Sequence, residues 1–319
     1  MWEVKNRSGK HMKRIVLVLV LIAAASAGCR RNQNELPFKA SPENSPNIEQ
    51  HLVIGLLPEQ NIFRQVERYE PLTVYLSKVL GMKVELKVLP QYGDLIKNFN
   101  SGKFDGAFFG SFIYVLARSK LGVEVLARPE SIDGTSTYYG LIFVRKDSGI
   151  KTSHDMLGKR FVFVDKATTA GYLLPLVYFK QHGIMNYKTF LRETYFAGNH
   201  EDAIYDVLDK RADIGAAKNT VYERIARSDP RINYELRVLD TSPRVPENAL
   251  AVRRDLNPGI KAQLKETLLN MHTTPEGRTI LRQLGLRRFI ETKDDDYLPV
   301  LKYAEIIHLD FSSYDYIND

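Results

Sequence analysis

From residue 52 the chain alternates short apolar runs with amphipathic stretches. "LVIGLLP" (52–58), "KVELKVL" (83–89), "DGAFFG" (105–110) and "VEVLARP" (123–129) read as strands. Between them, "YEPLTVYLSKVLG" (69–81) predicts a helix with Leu72, Tyr75, Leu76, Val79 and Leu80 on one face. Pro71 suits its first turn and Gly81 its stop. "GDLIKNFNSG" (93–102) and "SFIYVLARSKLG" (111–122) predict two more helices. Strand-helix alternation of this kind argues for an α/β lobe around a mostly parallel sheet.

The pattern then restarts. "YYGLIFVRKDSG" (138–149) and "KRFVFVD" (159–165) are strands, and a helix follows to Gly183. "ETYFAG", "NHEDAIYDVLDKR", "ADIGAAK" and "NTVYERIARS" continue as strand, helix, strand, helix from 193 to 228, and "ELRVLDTS" (235–242) adds a strand. "LIFVRKDSG" (141–149) echoes "LAVRRDLNPG" (250–259), as two crossings between lobes would. The expected division is lobe one at 51–140 plus 250–319, with lobe two inserted at 141–249. Helices at 258–272, 275–285 and 293–307 are expected to return to lobe one. Two lobes joined by two crossing hinge strands close on a ligand.

The N-terminus changes the setting. Lys13-Arg14 precedes an apolar run, Ile15 to Ala25, too short to span a bilayer, which needs ~20 residues. Residues 1–28 read as a signal peptide, starting at Met1 or Met12. Cys29, the only cysteine, follows directly and precludes an internal disulfide. The segment resembles a bacterial lipoprotein signal, which implies lipid on Cys29 and a membrane-anchored protein facing the periplasm or cell exterior. Ser26 departs from the usual leucine, and Ala25-Ser26-Ala27 also fits ordinary cleavage. Residues 29–50, polar with three prolines, read as a flexible tether. Of the formal charge of +7, the five basic residues of the leader against Glu3 hold +4, so the body carries +3. With no Lys/Arg stripe interleaved with aromatics, nucleic-acid binding is not expected. A monomer is expected.

Ligands of open α/β sheets bind beyond the carboxyl ends of strands. Here those ends include Asn61, Tyr92, Ser111 and the corner "DKATTAGY" (165–172). Thr168 and Thr169 offer hydroxyls there, while Ala170 and Gly171 leave N–H groups open at a helix start, an anion-binding arrangement. The alternative is an ordinary helix cap by either threonine. Lys218 reads equally as a cleft residue or a solvated one.

The corner is not alone. "IGLLPEQN" (54–61), residues 71–117, residues 138–175 and "GNHEDAIYDVLDKRADIGAA" (198–217) occur in an order that resembles the solute-binding proteins of phosphate, phosphite and phosphonate ABC importers. That resemblance implies a two-lobed type II periplasmic-binding fold, a small phosphorus-containing anion as ligand and an ABC-transporter membrane permease as partner. The family motif Asp-x-x-Ser-Thr-Ser-Gly-Tyr stands here as Asp165 to Tyr172, with Ala170 in place of a serine. Its oxyanion ligands map onto Thr168, Thr169, Ala170 and a later helix-start histidine, His200. A first-lobe tyrosine maps onto Tyr114. Asp213 matches an acidic group that meets an amine on aminoalkyl ligands.

Catalytic patterns are missing from the sequence. It holds no G-x-x-x-x-G-K-[ST] phosphate loop, no H-E-x-x-H metal pair and no G-x-S-x-G elbow. No metal, cofactor or enzymatic activity is expected. The alternatives kept open are another small anion, a sensor subunit, or an enzyme on the same scaffold.

Overall fold

A computed structural model describes residues 51–318. The readings placed on the leader, Cys29 and the tether lie outside the described residues. The described strands are β1 (His51–Leu56), β2 (Lys83–Val88), β3 (Gly106–Phe109), β4 (Glu124–Ser131), β5 (Thr137–Tyr138), β6 (Gly140–Arg145) and β7 (Arg160–Phe163). They continue with β8 (Glu193–Phe196), β9 (Ile214–Lys218), β10 (Leu236–Thr241), β11 (Val245–Pro246), β12 (Ala249–Val252) and β13 (Leu286–Glu291). The α-helices are α1 (Ile62–Leu80), α2 (Asp94–Asn100), α3 (Ser111–Leu121), α4 (Leu174–Gln181), α5 (Tyr187–Phe190) and α6 (His200–Leu208). After them come α7 (Asn219–Ser228), α8 (Arg231–Glu235), α9 (Pro258–Asn270), α10 (Pro275–Gln283) and α11 (Leu298–Ile306).

Two sheets organise these elements. The first has the order β13-β4-β12-β3-β1-β2, the second β10-β6-β9-β7-β8. Strands β2, β1 and β3 are parallel, as are β8, β7 and β9. Each sheet then receives an antiparallel strand beside its parallel set: β12 beside β3 and β6 beside β9. These two strands carry the echoed sequences. The crossings lie just before them, where β5 and β11 pair antiparallel, Val245 opposite Tyr138. Strands β3, β9 and β12 are buried along their whole length, as expected for strands covered on both faces.

Two predicted features differ. Helix α1 begins seven residues earlier than its pattern suggests, and Pro71 lies inside it. The cause is Asn61, whose side chain accepts from the N–H groups of Phe63 and Arg64 and so caps the helix well upstream. Val79, expected on the buried face, is 44% exposed. Strand β13 was not legible as one. Its sequence, LRRFIE, is broken by two arginines. It is an edge strand on β4, and Arg288 pairs with Glu130 beside it.

The chain ends across both lobes. Helix α11 packs on α3 and α4. Beyond it Tyr314 packs on Phe112, its ring centroid 5.5 Å away, and donates to the Lys166 carbonyl at 2.7 Å. Asn318 bonds both the Asp165 carboxylate and the Lys166 N–H. The C-terminal segment thus braces the corner after β7. Among the described residues no helix is long and apolar enough to cross a membrane.

Candidate functional site

The corner after β7 is built around Asp165. Its carboxylate accepts from the Ala167 N–H at 2.8 Å, and its carbonyl accepts from the Thr168 hydroxyl at 2.7 Å. Burial raises this carboxyl to about 6, against the opposing pull of its hydrogen bonds. The chain then makes a π-helical turn, Thr169–Leu173, before α4, and Pro175 falls harmlessly in the first turn of α4. Gly171 is required by packing. A Cβ there would lie 2.4 Å from the Val164 side chain and 2.8 Å from the Thr168 hydroxyl. The glycine therefore lets the turn press onto the strand end, and its carbonyl accepts the Val164 N–H at 3.2 Å.

The corner faces its counterpart in lobe one. Thr169 Oγ1 accepts the N–H of Phe112, in the first turn of α3, at 2.9 Å. One lobe thus satisfies an open helix N-terminus of the other. Ser111 beside it is fully buried and donates to the Pro246 carbonyl. The Tyr138 phenol lies against Thr169 and Ser111, with the Lys218 ammonium 4.6 Å from its ring centre.

Lys218 joins the lobes electrostatically. At the end of β9 and 2% exposed, it pairs with Glu59 at 2.9 Å, with Glu247, and with Asn248 at 3.2 Å. Burial alone would raise the Glu59 carboxyl, but Lys218 and Arg224 overcome it and hold it at about 2. Burial and the neighbouring Glu59 charge push Glu247 up, because one ammonium serves two carboxylates. The two glutamates hold Lys218 above the usual ammonium range despite its burial.

His200, at the start of α6, is 4% exposed. Its Nδ1 accepts the Lys218 N–H at 3.2 Å, which leaves the proton on Nε2. Burial lowers its pKa to about 3, so the imidazole is neutral at physiological pH. Tyr92 packs edge-on against it, ring centres 6.5 Å apart. The Tyr92 hydroxyl is buried and has no hydrogen-bond partner.

These groups enclose a cavity of about 20 Å³, room for a single water. Of the residues the sequence singled out, Thr168, Thr169, Ala170, His200 and Tyr92 line it together. Gly171 sits behind it, and Ser111 is committed to Pro246. Asn61 is spent on capping α1, and its own N–H donates to Glu201 across the lobes at 3.0 Å. Tyr114 does not reach the cavity. Its hydroxyl donates to Asp294 and its ring packs on Tyr297 at 4.3 Å. Asp213 precedes β9, whose far end carries Lys218, so it lies at the wrong end of that strand; it accepts the Arg160 N–H at 2.8 Å.

The sequence reading missed Glu59, Tyr138 and Asn248 as lining residues and left Lys218 open. Glu59 shares the segment after β1 with Asn61, and of the two it is Glu59 that lines the cavity. Tyr138 and Asn248 flank the crossings, where no strand-end rule points to them.

Comparison with known proteins places this geometry in context. A family model described as "ABC transporter, phosphonate, periplasmic substrate-binding protein" matches residues 54–297. The phosphonates-binding periplasmic protein of Escherichia coli is 27% identical over 268 residues, covering 83% of this chain and 79% of that one. The phosphate-import protein PhnD of Mycolicibacterium smegmatis is 25% identical over 276 residues, 82% of each. Among solved structures, a binding protein component of an ABC phosphonate transporter from Pseudomonas aeruginosa superposes with TM-score 0.77 at 23% identity, covering 82% of this chain and 87% of that one. PhnD1 from Prochlorococcus marinus, in complex with methylphosphonate, gives 0.73 at 22% identity, covering 81% and 98%.

Proposed function

The chain belongs to the family of periplasmic substrate-binding proteins of phosphonate ABC transporters, and from that premise we propose that it captures a small phosphorus oxyanion (phosphonate, phosphite or phosphate) between its lobes and delivers it to a membrane permease. The observation that carries the reading is the unpartnered, buried Tyr92 hydroxyl, in a residue that lines one cavity with Thr168, Thr169, Ala170 and His200. A buried donor without a partner costs about 1–3 kcal/mol, and an oxyanion offsets that cost.

Lys218 also lines the cavity, but its ammonium is committed to Glu59, Glu247 and Asn248, so the donors left for the anion are neutral. His200 offers Nε2–H, Tyr92 its phenol and Thr169 a hydroxyl proton that its bond from Phe112 leaves available. Backbone N–H groups at the start of the π-turn add to them. Ala170 supplies no hydroxyl where the family has a serine, which removes one side-chain donor. The cavity is smaller than any of these anions, so entry requires the lobes to part about the paired crossings β5 and β11. Sheet membership supports the lobe division at 51–140 plus 250–319 and 141–249.

Calorimetric titration with methylphosphonate, phosphite, phosphate and aminoethylphosphonate tests this. Binding of at least one of them is expected, weakened by His200→Ala to a similar degree at pH 6 and pH 8, because the imidazole titrates only near about 3. No binding of any of the four rejects the reading. Export with lipid on Cys29, a tether over 29–50 and action as a monomer near the membrane belong to the same proposal and rest on the sequence. An unmodified Cys29, found by mass spectrometry in protein expressed at full length in a bacterium, rejects the anchor.

A further inference from the structure

Glu59 and Asn248 line two cavities, and Glu247 lines the second of them. On their other side a much larger one, about 550 Å³, opens between the lobes, a volume typical of sites for organic ligands. Four arginines reach it: Arg68 from α1, Arg224 and Arg227 from α7, and Arg244 from the returning crossing. Among the described residues none of the four has a carboxylate within ion-pair distance, whereas Arg64, Arg145, Arg160 and Arg288 elsewhere all do.

The acidic groups of this cleft each have a partner, although one oxygen of Glu247 is bare. Glu59 and Glu247 share Lys218. Asp133 accepts from the Thr135 N–H and hydroxyl at 2.9 and 2.7 Å. Glu223 accepts from Asn219 at 3.1 Å. The guanidiniums, by contrast, are held without a direct ion pair, and Arg224 feels Glu59 only at longer range. Arg68 donates to the Leu284 carbonyl at 2.6 Å and lies 5.9 Å over the Tyr69 ring. Arg244 lies 5.0 Å over the Tyr139 ring. Stacking of this kind fixes the fork without cancelling its charge. Arg224 Nη2 is buried with no partner at all. Burial and then the charge of Arg68, facing it from the other lobe, lower the proton affinity of Arg224. Closing the lobes therefore brings like charges together over an open volume, and an anion lying between them relieves both the repulsion and the unmet donor.

We propose that this arginine-lined cleft is a second anion-binding compartment, separate from the cavity at Thr168–Ala170, that takes an anion with two or more charged groups. Multiple charge follows from the layout, since the guanidiniums come from both lobes and from the hinge, around a space far larger than one phosphonate group fills. Arg224 and Arg68 are its direct ligands, and Arg244 closes its exposed rim. The proposal does not depend on the identity of the ligand in the small cavity.

Titrating the full chain with inorganic tripolyphosphate tests it. Wild type is expected to bind, more weakly as salt rises. Arg224→Gln is expected to weaken binding about tenfold or more, and Arg244→Gln several-fold. Arg244 is exposed, so its variant keeps the test usable if Arg224→Gln fails to fold. Saturating the protein with methylphosphonate should leave tripolyphosphate binding within about twofold. The proposal is overturned if wild type does not bind tripolyphosphate, if neither substitution weakens binding, or if methylphosphonate displaces tripolyphosphate competitively.

Discussion

On the lobe-two wall of the small cavity, every conspicuous side chain already has a partner. Thr168 donates to Asp165, Thr169 accepts from Phe112, and His200 accepts from Lys218. On the lobe-one wall the Tyr92 hydroxyl has none. The motif wall is thus tied into the fold through Asp165, Phe112 and Lys218, with donors to spare at His200 Nε2 and Thr169, while the Tyr92 hydroxyl opposite is held by nothing. A binding wall that is held in shape before the ligand arrives loses less entropy on binding.

The largest way to break this comparison is to cut the charge tie between the walls. Lys218→Met leaves Glu59 and Glu247 buried without their ammonium. A loss of about 3–5 kcal/mol is expected in urea unfolding at neutral pH. Without Lys218, both folded-state carboxyl pKa values rise above their unfolded ones. Such groups favour folding below the unfolded pKa and lose that contribution as pH rises through the folded value. The deficit against wild type should therefore shrink as pH is lowered from 8 to 5. A deficit that is small, or equal at both pH values, means that Lys218 does not hold the two walls together.

A smaller effect sharpens the role of the satisfied wall. Thr169→Val keeps the volume but removes the acceptor for the Phe112 N–H. A stability loss of about 1 kcal/mol is expected, with methylphosphonate affinity falling about tenfold as the closed state loses an inter-lobe bond and the anion a donor. A simple helix cap predicts the stability loss alone. Unchanged affinity would assign Thr169 to packing and closure only.

How much of this was readable follows the same division. The strand-helix alternation and the two lobes were legible because apolar periodicity is local, and the turn at 165–172 because it falls between an apolar strand and a helical pattern. The packing role of Gly171 was not legible, since its near-contact with Val164 depends on how a π-turn folds back, which spacing does not encode. Tyr114 and Asp213 failed for a related reason. Each stands near a relevant element, but which way a helix face or strand end points is set by tertiary packing, against Asp294 in one case and Arg160 in the other. Glu59, Glu247 and Lys218 come from three distant segments, and only the folded chain shows that they form one cluster. The arginine cleft is the extreme case, since its charges are scattered over α1, α7 and the returning crossing.

The smallest expected change in stability is also the most discriminating. Tyr92→Phe removes one oxygen, and that oxygen has no partner in the structure. Burying a hydroxyl unsatisfied is unfavourable, so its removal should leave the melting temperature unchanged or raise it slightly. The ring remains, and so does its edge contact with His200. Methylphosphonate affinity should nevertheless fall about tenfold, because a phenol that donates to an oxyanion is lost. Stability and affinity thus move apart, whereas at Thr169 they move together. That contrast separates a hydroxyl already tied across the lobes from one that waits for the ligand. A lower melting temperature in Tyr92→Phe would mean that the hydroxyl has a structural partner. Unchanged affinity would mean that Tyr92 is only a spacer. Either outcome removes the asymmetry between the two walls.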